Sequence, residues 1–282
     1  MCGIFGFVNY GDSLSGVQTK ALYTTLAKSC IVRGAHAAGI AYVRSGTLHM
    51  QKEASDLLSA DFDFPHNTMT LAAHCRLSLK KDYINNKNNH PFEGRTLDGA
   101  KYAIEHNGIL AGLRELRKLH GIEKPDIGTD SYFIAQLLDT KPTLTTETLK
   151  EVCEALRGSF SFVILDEKND LYICRGDVPI YLVHFKRRRL YLYASTRDIF
   201  ESAAAETDLW YEYKSSNLEV AASTVNIVPL CKGDILRLSP KGETAWASFS
   251  FHEASAIHHN WYMHEITETE ALKAQLENLN NE

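Results

Sequence analysis

The sequence lacks the features by which several large classes of protein are identified. None of its six cysteines form a C-x-x-C pair, which argues against a zinc ribbon and against a dithiol redox motif. No apolar run approaches the roughly 20 residues that span a bilayer. The first residues have neither the charged segment nor the long apolar segment of a secretory signal. These absences predict a cytoplasmic protein with reduced thiols and no membrane contact.

Phosphate-binding glycine motifs and a net positive charge are also missing. Without a Gly-x4-Gly-Lys-Ser/Thr loop or a Gly-x-Gly-x-x-Gly turn, the chain is not expected to activate a substrate with ATP. A net charge of −5 argues against nucleic-acid binding. The single basic run, Lys186-Arg187-Arg188-Arg189, lies between two apolar segments and is interpreted as a hairpin tip. We expect no cofactor, and the scattered histidines after Phe251 predict no metal site.

Short strands and amphipathic helices account for most of the chain. Strands are predicted at 4–8, 38–43, 47–51, 68–76, 101–105, 160–166, 171–175, 180–185, 190–194, 224–229, 234–238 and 244–251. Helices are predicted at 14–30, 52–60, 110–119, 129–138, 145–156 and 198–205. Two strand-rich stretches without strict βαβ alternation predict an α+β fold in which two sheets pack together with helices outside. We expect one domain at 1–250 and a linker-like tail with a helix at 251–282.

The first six residues, Met1-Cys2-Gly3-Ile4-Phe5-Gly6, are the most informative stretch. Removal of Met1 would leave Cys2 with a thiol and a free α-amine on one residue. An α-amine titrates near pH ~7.7–8.0, so it is partly neutral at physiological pH and can accept the thiol proton. Taken alone, the stretch has an equally good structural interpretation, in which Cys2 is simply a small residue at a strand start.

A nucleophilic cysteine that cleaves an amide needs three further groups, and the sequence offers a candidate for each. Arg76 can hold a carboxylate through two parallel hydrogen bonds. Asn107 and Gly108, which we place at a turn after a strand, offer a side-chain amide and a backbone N–H to a developing oxyanion. Asp130, at a predicted helix start, can pair with an ammonium group. Individually, each of these residues is more often structural than functional, and Asn-Gly is a common turn pair.

The same residues fall into a longer ordered pattern. Its segments are Cys2-Gly3-Ile4-Phe5-Gly6, Arg33-Gly34, His74-x-Arg76, Asn89-His90-Pro91-Phe92, His106-Asn107-Gly108-Ile109 and Thr129-Asp130. This order resembles the class II glutamine amidotransferases, which are N-terminal-nucleophile hydrolases. The resemblance continues into the tail, where Tyr262–Ile266 is similar to the segment that joins the glutaminase and isomerase domains of glucosamine-6-phosphate synthase. It thus covers nearly the whole chain.

The resemblance implies a fold, a reaction and a set of site residues. The implied fold is a four-layer αββα sandwich of two antiparallel sheets. The implied reaction is attack by Cys2 on the side-chain amide of glutamine, with Asn107 and Gly108 as the oxyanion hole. Arg76 would hold the α-carboxylate of glutamine, and Asp130 its α-ammonium group, with Gly108 also near that amine. Arg33, His74 and His106 are the supporting residues.

Two stretches depart from the family pattern. His36-Ala37 stands where the family has an Asp-Ser pair, and Leu77-Ser78-Leu79 replaces an aromatic residue, a small residue and a threonine. Because Leu79 has no hydroxyl, Ser78 or Lys80 is the candidate that helps Arg76 to hold the carboxylate. This departure motivates a second hypothesis, an amidase that acts on another γ-glutamyl amide.

The leading hypothesis is a glutaminase subunit that releases ammonia for a separate synthase or isomerase subunit, which docks on residues 261–282. A third hypothesis is a non-catalytic regulator that binds a synthase through the same tail. A degenerate site would be expected to have lost some of the candidate catalytic residues, and all are present. The predicted tail helix (267–279) carries a stripe of leucines. This stripe is expected either to contact a partner, which could be a second copy of this chain, or to pack on the chain's own core.

Overall fold

The computed structural model describes residues 2–78, 81–215 and 224–252, and all structural statements below concern these ranges. Most of the predicted tail, including its helix and the partner-binding segment 261–282, lies outside the described residues. Leu79 and Lys80 also lie outside them.

Strands and helices follow one another much as the sequence predicts. The strands are β1 (Gly3–Asn9), β2 (Ala37–Arg44), β3 (Thr47–Glu53), β4 (Thr70–Arg76), β5 (Phe92–Arg95), β6 (Lys101–Leu110), β7 (Gly158–Asp166), β8 (Leu171–Arg175), β9 (Tyr181–Phe185), β10 (Leu190–Ala194), β11 (Val225–Val228), β12 (Asp234–Leu238) and β13 (Thr244–Ser248). The helices are α1 (Gly16–Cys30), α2 (Leu113–His120), α3 (Tyr132–Asp139), α4 (Thr146–Ala155), α5 (Arg197–Ala205) and α6 (Leu209–Ser215).

The strands form two antiparallel sheets. The first sheet has the order β11-β9-β10-β1-β4-β2-β3, and the second has the order β13-β12-β8-β7-β6-β5. Helices α1 and α5 pack together on the outer face of the first sheet, while α3 and α4 cover the second sheet. The result is the four-layer αββα arrangement, so the predicted α+β fold of two packed sheets is confirmed.

Alternation along each strand divides the core into layers. In β1, Phe5 and Phe7 pack among the helices of the first sheet, whereas Ile4 and Val8 face the second sheet. We call the space between the two sheets the middle layer. Each fully buried side chain of this size contributes roughly 1.5–3 kcal/mol to folding relative to its exposed state. The helices of the first sheet and the middle layer therefore pack against opposite faces of β1.

Three local predictions were wrong in detail. The expected helix at 52–60 is absent, because β3 continues to Glu53 and the Asp56 carboxylate accepts the backbone N–H groups of Leu58 and Ser59 in a turn. The strand expected to stop before Asn107 runs on to Leu110, so the predicted turn does not exist there. Its pairing with β7 over nine residues outweighs the local turn preference of Asn-Gly.

The basic run Lys186-Arg187-Arg188-Arg189 forms a hairpin tip, as predicted. Arg188 pairs with Asp208 and Glu212 at N–O distances of 2.9 and 2.6 Å, and the run joins β9 to β10 as the predicted hairpin tip. Among the helices of the described ranges, none combines the length and the apolar character that a bilayer crossing requires.

Candidate active site

Cys2 lies directly before β1, the strand held between β4 and β10. Gly3 is paired with Cys75 of β4, and a Cβ at Gly3 would lie only 2.3 Å from the Cys30 Sγ atom. The Arg33 Nε atom donates to the Cys2 carbonyl at 3.0 Å, and the Cys2 thiol lies 3.7 Å from the Leu77 carbonyl, to which it donates. Tight packing and these two contacts therefore fix the position of Cys2.

A serine beyond the end of β10 completes the hydrogen bonding of β1 near Cys2. The Ser195 hydroxyl accepts from the Ile4 N–H at 2.7 Å and donates to the Ile4 carbonyl at 3.2 Å. The hydroxyl is needed because β10 pairs with β1 only from Phe5 onward. Ser195 thus satisfies buried backbone groups two residues from the candidate nucleophile.

Burial controls the protonation of the Cys2 thiol. Desolvation raises the pKa of this thiol above its ordinary value, with smaller opposing effects from the hydrogen bond to Leu77 and from Arg76. The thiol is therefore protonated at neutral pH. A thiolate forms only when a nearby group accepts the proton, and this requirement matches the predicted role of a neutral α-amine.

The two sheets meet at the site through a histidine contact. His74 and Arg76 share one face of β4 with Ala72, which lies in the middle layer. The His74 Nε2 atom donates to the His106 carbonyl of β6 at 3.1 Å, so the end of β4 lies beside the end of β6. Burial lowers the pKa of His74 to about 3. His74 is therefore neutral at physiological pH and acts as a hydrogen-bond donor, not as an acid.

Asn107 extends from β6 on the middle-layer face, the face that Ala103 also occupies. Its side chain is 2% exposed, and neither the Oδ1 atom nor the Nδ2 atom has a hydrogen-bond partner among the described residues. An unpaired buried amide costs about 1–3 kcal/mol. Gly108 adopts a φ of +142°, and a Cβ there would lie 2.1 Å from the Ser159 carbonyl oxygen, so only glycine fits. Asn107 and Gly108 therefore lie within β6 and not at the predicted turn.

Asp130 contacts the last residue of β6, Leu110. One of its carboxylate oxygens accepts the Leu110 N–H at 2.6 Å, and the other accepts from Thr129 at 3.3 Å. The helix predicted to start here begins at Tyr132, and its N-cap, Ser131, makes no side-chain capping bond. The Ser131 hydroxyl instead shares a hydrogen bond of 2.8 Å with His106 Nδ1, which links the helix start to β6.

Arg76 is buried and makes two polar contacts with the loop that follows β4. Its Nη1 atom donates to Asn89 Oδ1 at 2.7 Å, and its Nη2 atom pairs with Asp82 Oδ2 at 2.9 Å. The Ser78 hydroxyl donates to the other Asp82 oxygen at 2.5 Å. The two residues predicted to bind a substrate carboxylate therefore bind the carboxylate of Asp82.

Sequence reasoning missed Asp82 and the role of His36. The His36 Nδ1 atom accepts the Ser78 N–H at 2.9 Å, and its ring stacks on Tyr83 with the ring centroids 4.9 Å apart. His36 stands within the stretch that departs from the family pattern, and this departure was the available signal. Asp82 follows two lysines in a polar loop, and nothing in that local sequence pointed to Arg76.

Glu105 was also missed, although it lies two residues before Asn107 on the same strand face. It is 1% exposed, and neither carboxylate oxygen has a partner among the described residues. Burial raises its pKa well above the ordinary value, with a further contribution from Cys75. The His90 ring lies close to the rings of His74 and His106. Within the described ranges, however, no group of three His, Cys, Asp or Glu residues could hold a metal ion.

Replacing Glu105 by leucine is expected to stabilise the protein by roughly 1–3 kcal/mol at pH 8 and by less at pH 5. Above the ordinary carboxyl pKa the unfolded state loses the Glu105 proton while the folded state keeps it, so the wild type loses stability as pH rises. Leucine has a similar volume and no such dependence. Urea unfolding at both pH values measures the difference, with the exposed Glu123→Gln as control. If Glu105→Leu instead lost the same amount of stability at both pH values, Glu105 would be making a stabilising contact in the folded protein.

Comparison with known proteins agrees with this geometry. Residues 74–202 match the family model described as a glutamine amidotransferase domain; Cys2 lies before that segment. Glutamine phosphoribosylpyrophosphate amidotransferase from B. subtilis, complexed with ADP and GMP, has the same fold, with a TM-score of 0.66 at 17% identity over 89% of this chain and 50% of that one. A structure described as the allosteric regulatory enzyme of purine biosynthesis gives 0.67 with the same identity and coverage. Residues 74–202 are therefore similar to a glutamine amidotransferase domain, and the chain shares the fold of the two amidotransferase-type structures.

Among curated proteins, the similar relatives are larger. The 7-cyano-7-deazaguanine synthase of Sulfolobus acidocaldarius is 25% identical over 229 residues, which are 76% of this chain and 48% of the relative. The 7-cyano-7-deazaguanine synthase 2 of Sulfurisphaera tokodaii is 28% identical over 146 residues, which are 50% of this chain and 30% of that protein. The chain thus spans about half or less of the length of the relatives it matches.

Proposed function

We propose that the chain hydrolyses the side-chain amide of glutamine to glutamate and ammonia, with Cys2 as the nucleophile once Met1 has been removed. The observation that carries this proposal is the buried, unpartnered amide of Asn107 in the middle layer, beside the end of the strand that holds Arg76. A buried polar group without a partner is rare in folded proteins, and a ligand that hydrogen-bonds to it is one explanation.

In the first step the Cys2 α-amine takes the thiol proton, and the thiolate sulfur bonds to the amide carbon of glutamine. The carbonyl π electrons move to oxygen, and the resulting oxyanion accepts hydrogen bonds from Asn107 Nδ2 and the Gly108 N–H. The amine then returns its proton to the leaving nitrogen, so the C–N bond breaks and ammonia departs. Water attacks the remaining thioester by the same route and yields glutamate and the free thiol.

The two charged ends of glutamine need opposite charges from the protein. Arg76, with Ser78, would bind the α-carboxylate, and Asp130 would bind the α-ammonium group, with Gly108 near that amine. Arg33 supports the reaction by fixing the Cys2 carbonyl, while His74 and His106 keep the ends of β4 and β6 together.

The ammonia is expected to serve a synthase located elsewhere, on another chain or on a further part of a longer polypeptide. Relatives named 7-cyano-7-deazaguanine synthase support an acceptor that builds nitrogen into its product, and this chain aligns with less than half of each. The sequence resemblance to glucosamine-6-phosphate synthase supports a sugar isomerase as the other candidate acceptor. Residues 261–282 are the candidate docking segment, and a reducing, cytoplasmic setting suits the thiol chemistry.

An uncleavable N-terminal tag is expected to reduce glutamate release by roughly 10²–10⁴-fold, because it converts the base from an amine into an amide. The measurement compares purified protein whose loss of Met1 is verified by mass spectrometry with the N-terminally tagged chain. The same tag placed at the C-terminus is the control. Full activity in the N-terminally tagged protein would contradict the proposed base, and absence of glutamate release from the processed protein would overturn the function.

A further inference from the structure

The loop after β4 is organised so that one of its own acids reaches Arg76. A 3-10 helix at Lys81–Ile84 presents Asp82, whose backbone carbonyl accepts from Asn88 Nδ2 at 2.8 Å. Asn89, the other partner of Arg76, donates to the Tyr83 carbonyl at 2.7 Å. The His36 ring stacks on Tyr83 from the neighbouring segment. Asp82 is therefore held in place from several directions.

We propose that Asp82 is a specificity-determining residue, an internal competitor that occupies the position of the substrate α-carboxylate on Arg76 and Ser78. This inference rests on the proposed function, because it assumes that the same two residues receive that carboxylate. The geometry that carries it is the placement of one Asp82 oxygen 2.9 Å from Arg76 Nη2 and of the other 2.5 Å from the Ser78 hydroxyl. Asp82 thus makes the paired contacts that a substrate carboxylate would make.

The competition has a physical consequence for substrate choice. Glutamine must exchange one carboxylate for another on Arg76, and the exchange leaves the number of charge-assisted hydrogen bonds unchanged. The intramolecular carboxylate has the higher effective concentration, so it raises the KM for glutamine. An amide that lacks the α-carboxylate does not need to displace Asp82. Asp82 therefore lowers the ratio of kcat/KM for glutamine to kcat/KM for such amides.

The kinetic test is Asp82→Asn, which keeps the shape of the side chain and removes its charge. We expect the KM for glutamine to fall about 10-fold, which corresponds to about 1.4 kcal/mol, with kcat not raised. The ratio of kcat/KM for glutamine to kcat/KM for the same amide without its α-carboxylate should rise by the same factor. Asp126→Asn is the matched control, because this exposed acid pairs with Lys87 in the same region at 3.6 Å and should leave both constants unchanged.

A second test does not depend on glutaminase activity. Iodoacetate and iodoacetamide alkylate thiols by the same displacement of iodide, but only iodoacetate carries a carboxylate. Both reagents react with the same Cys2 thiolate, so the effect of the thiol pKa cancels in the ratio of their rates. The ratio therefore reports whether Arg76 is free to attract an anion. Peptide mass spectrometry follows Cys2, in a Cys231→Ser background because Cys231 is the exposed free cysteine of the described ranges.

Asp82→Asn should raise the iodoacetate-to-iodoacetamide ratio about 10-fold over the wild type, and adding Arg76→Gln should reverse the increase. Asp126→Asn should not change the ratio. An unchanged ratio in Asp82→Asn, or an unchanged or higher KM in an active variant, would overturn the role of Asp82. If no variant turns over glutamine but the ratio shifts as expected, the proposed function fails while the competition for Arg76 stands.

Discussion

Replacing Cys2 by alanine is expected to lower glutamate release by roughly 10⁴-fold or more, to the background of the assay. No other cysteine can substitute for it in the described structure: Cys30 and Cys75 are buried beneath Gly3, and Cys153, Cys174 and Cys231 belong to other segments. Without a nucleophile the thioester cannot form, so the loss falls on kcat and not on glutamine binding.

A serine at the same position tests the chemistry more finely. Cys2→Ser keeps a hydroxyl near the α-amine, yet a hydroxyl is far less acidic than a thiol, so we expect most of the activity to be lost as well. Cys231→Ser is the matched control, since Cys231 is exposed and should leave turnover at the wild-type level. Initial rates of glutamate release and mass-spectrometric capture of the thioester measure both effects. Wild-type turnover in Cys2→Ala would reject the nucleophile outright.

Replacing Asn107 by leucine is expected to reduce kcat by about 10²–10³-fold while KM changes little. The reason is that the oxyanion exists only in the transition state and the tetrahedral intermediate, so its hydrogen bond from Nδ2 contributes little to ground-state binding. The same substitution removes a buried amide that has no partner. The folded state should therefore keep or gain stability, and a catalytic defect together with unchanged stability is the signature of this role.

The control for Asn107 lies directly opposite on β7. Ser161 pairs with Asn107 across the strands, and its hydroxyl donates to the Val178 carbonyl at 2.5 Å and accepts from the Gly176 N–H. Ser161→Ala should lose about 1–3 kcal/mol of stability, because two buried backbone groups lose their partner, while kcat is retained. Steady-state kinetics and urea unfolding of both variants separate the two roles. Unchanged kcat with reduced stability in Asn107→Leu would assign that residue to the fold.

Local patterns predicted most of the elements because each pattern reflects short-range physics. The hairpin of β2 and β3 and the helix α1 follow from alternation and from the 3.6-residue spacing of apolar residues. The predictions failed where distant strands decided the outcome. Asn107 and Gly108 have a strong turn preference, but the backbone pairing of β6 with β7 keeps them extended. At Lys52, pairing with Gly39 of β2 likewise prolonged a strand into the expected helix.

The sequence by itself determined which reactive groups are available and in what order: a cysteine at position 2, then Arg76, then the Asn107-Gly108 pair and then Asp130. Only the tertiary structure decided which of these groups have partners. Arg76 is bound by Asp82, whereas neither the Asn107 amide nor the buried Glu105 carboxyl has a partner in the part of the chain that the structure describes. The physical reason is that burial and pairing depend on strands that are distant in the chain and meet only when the two sheets pack. The residue types therefore indicated the chemistry. Packing decided which of these groups are charged and which already have a partner within the protein.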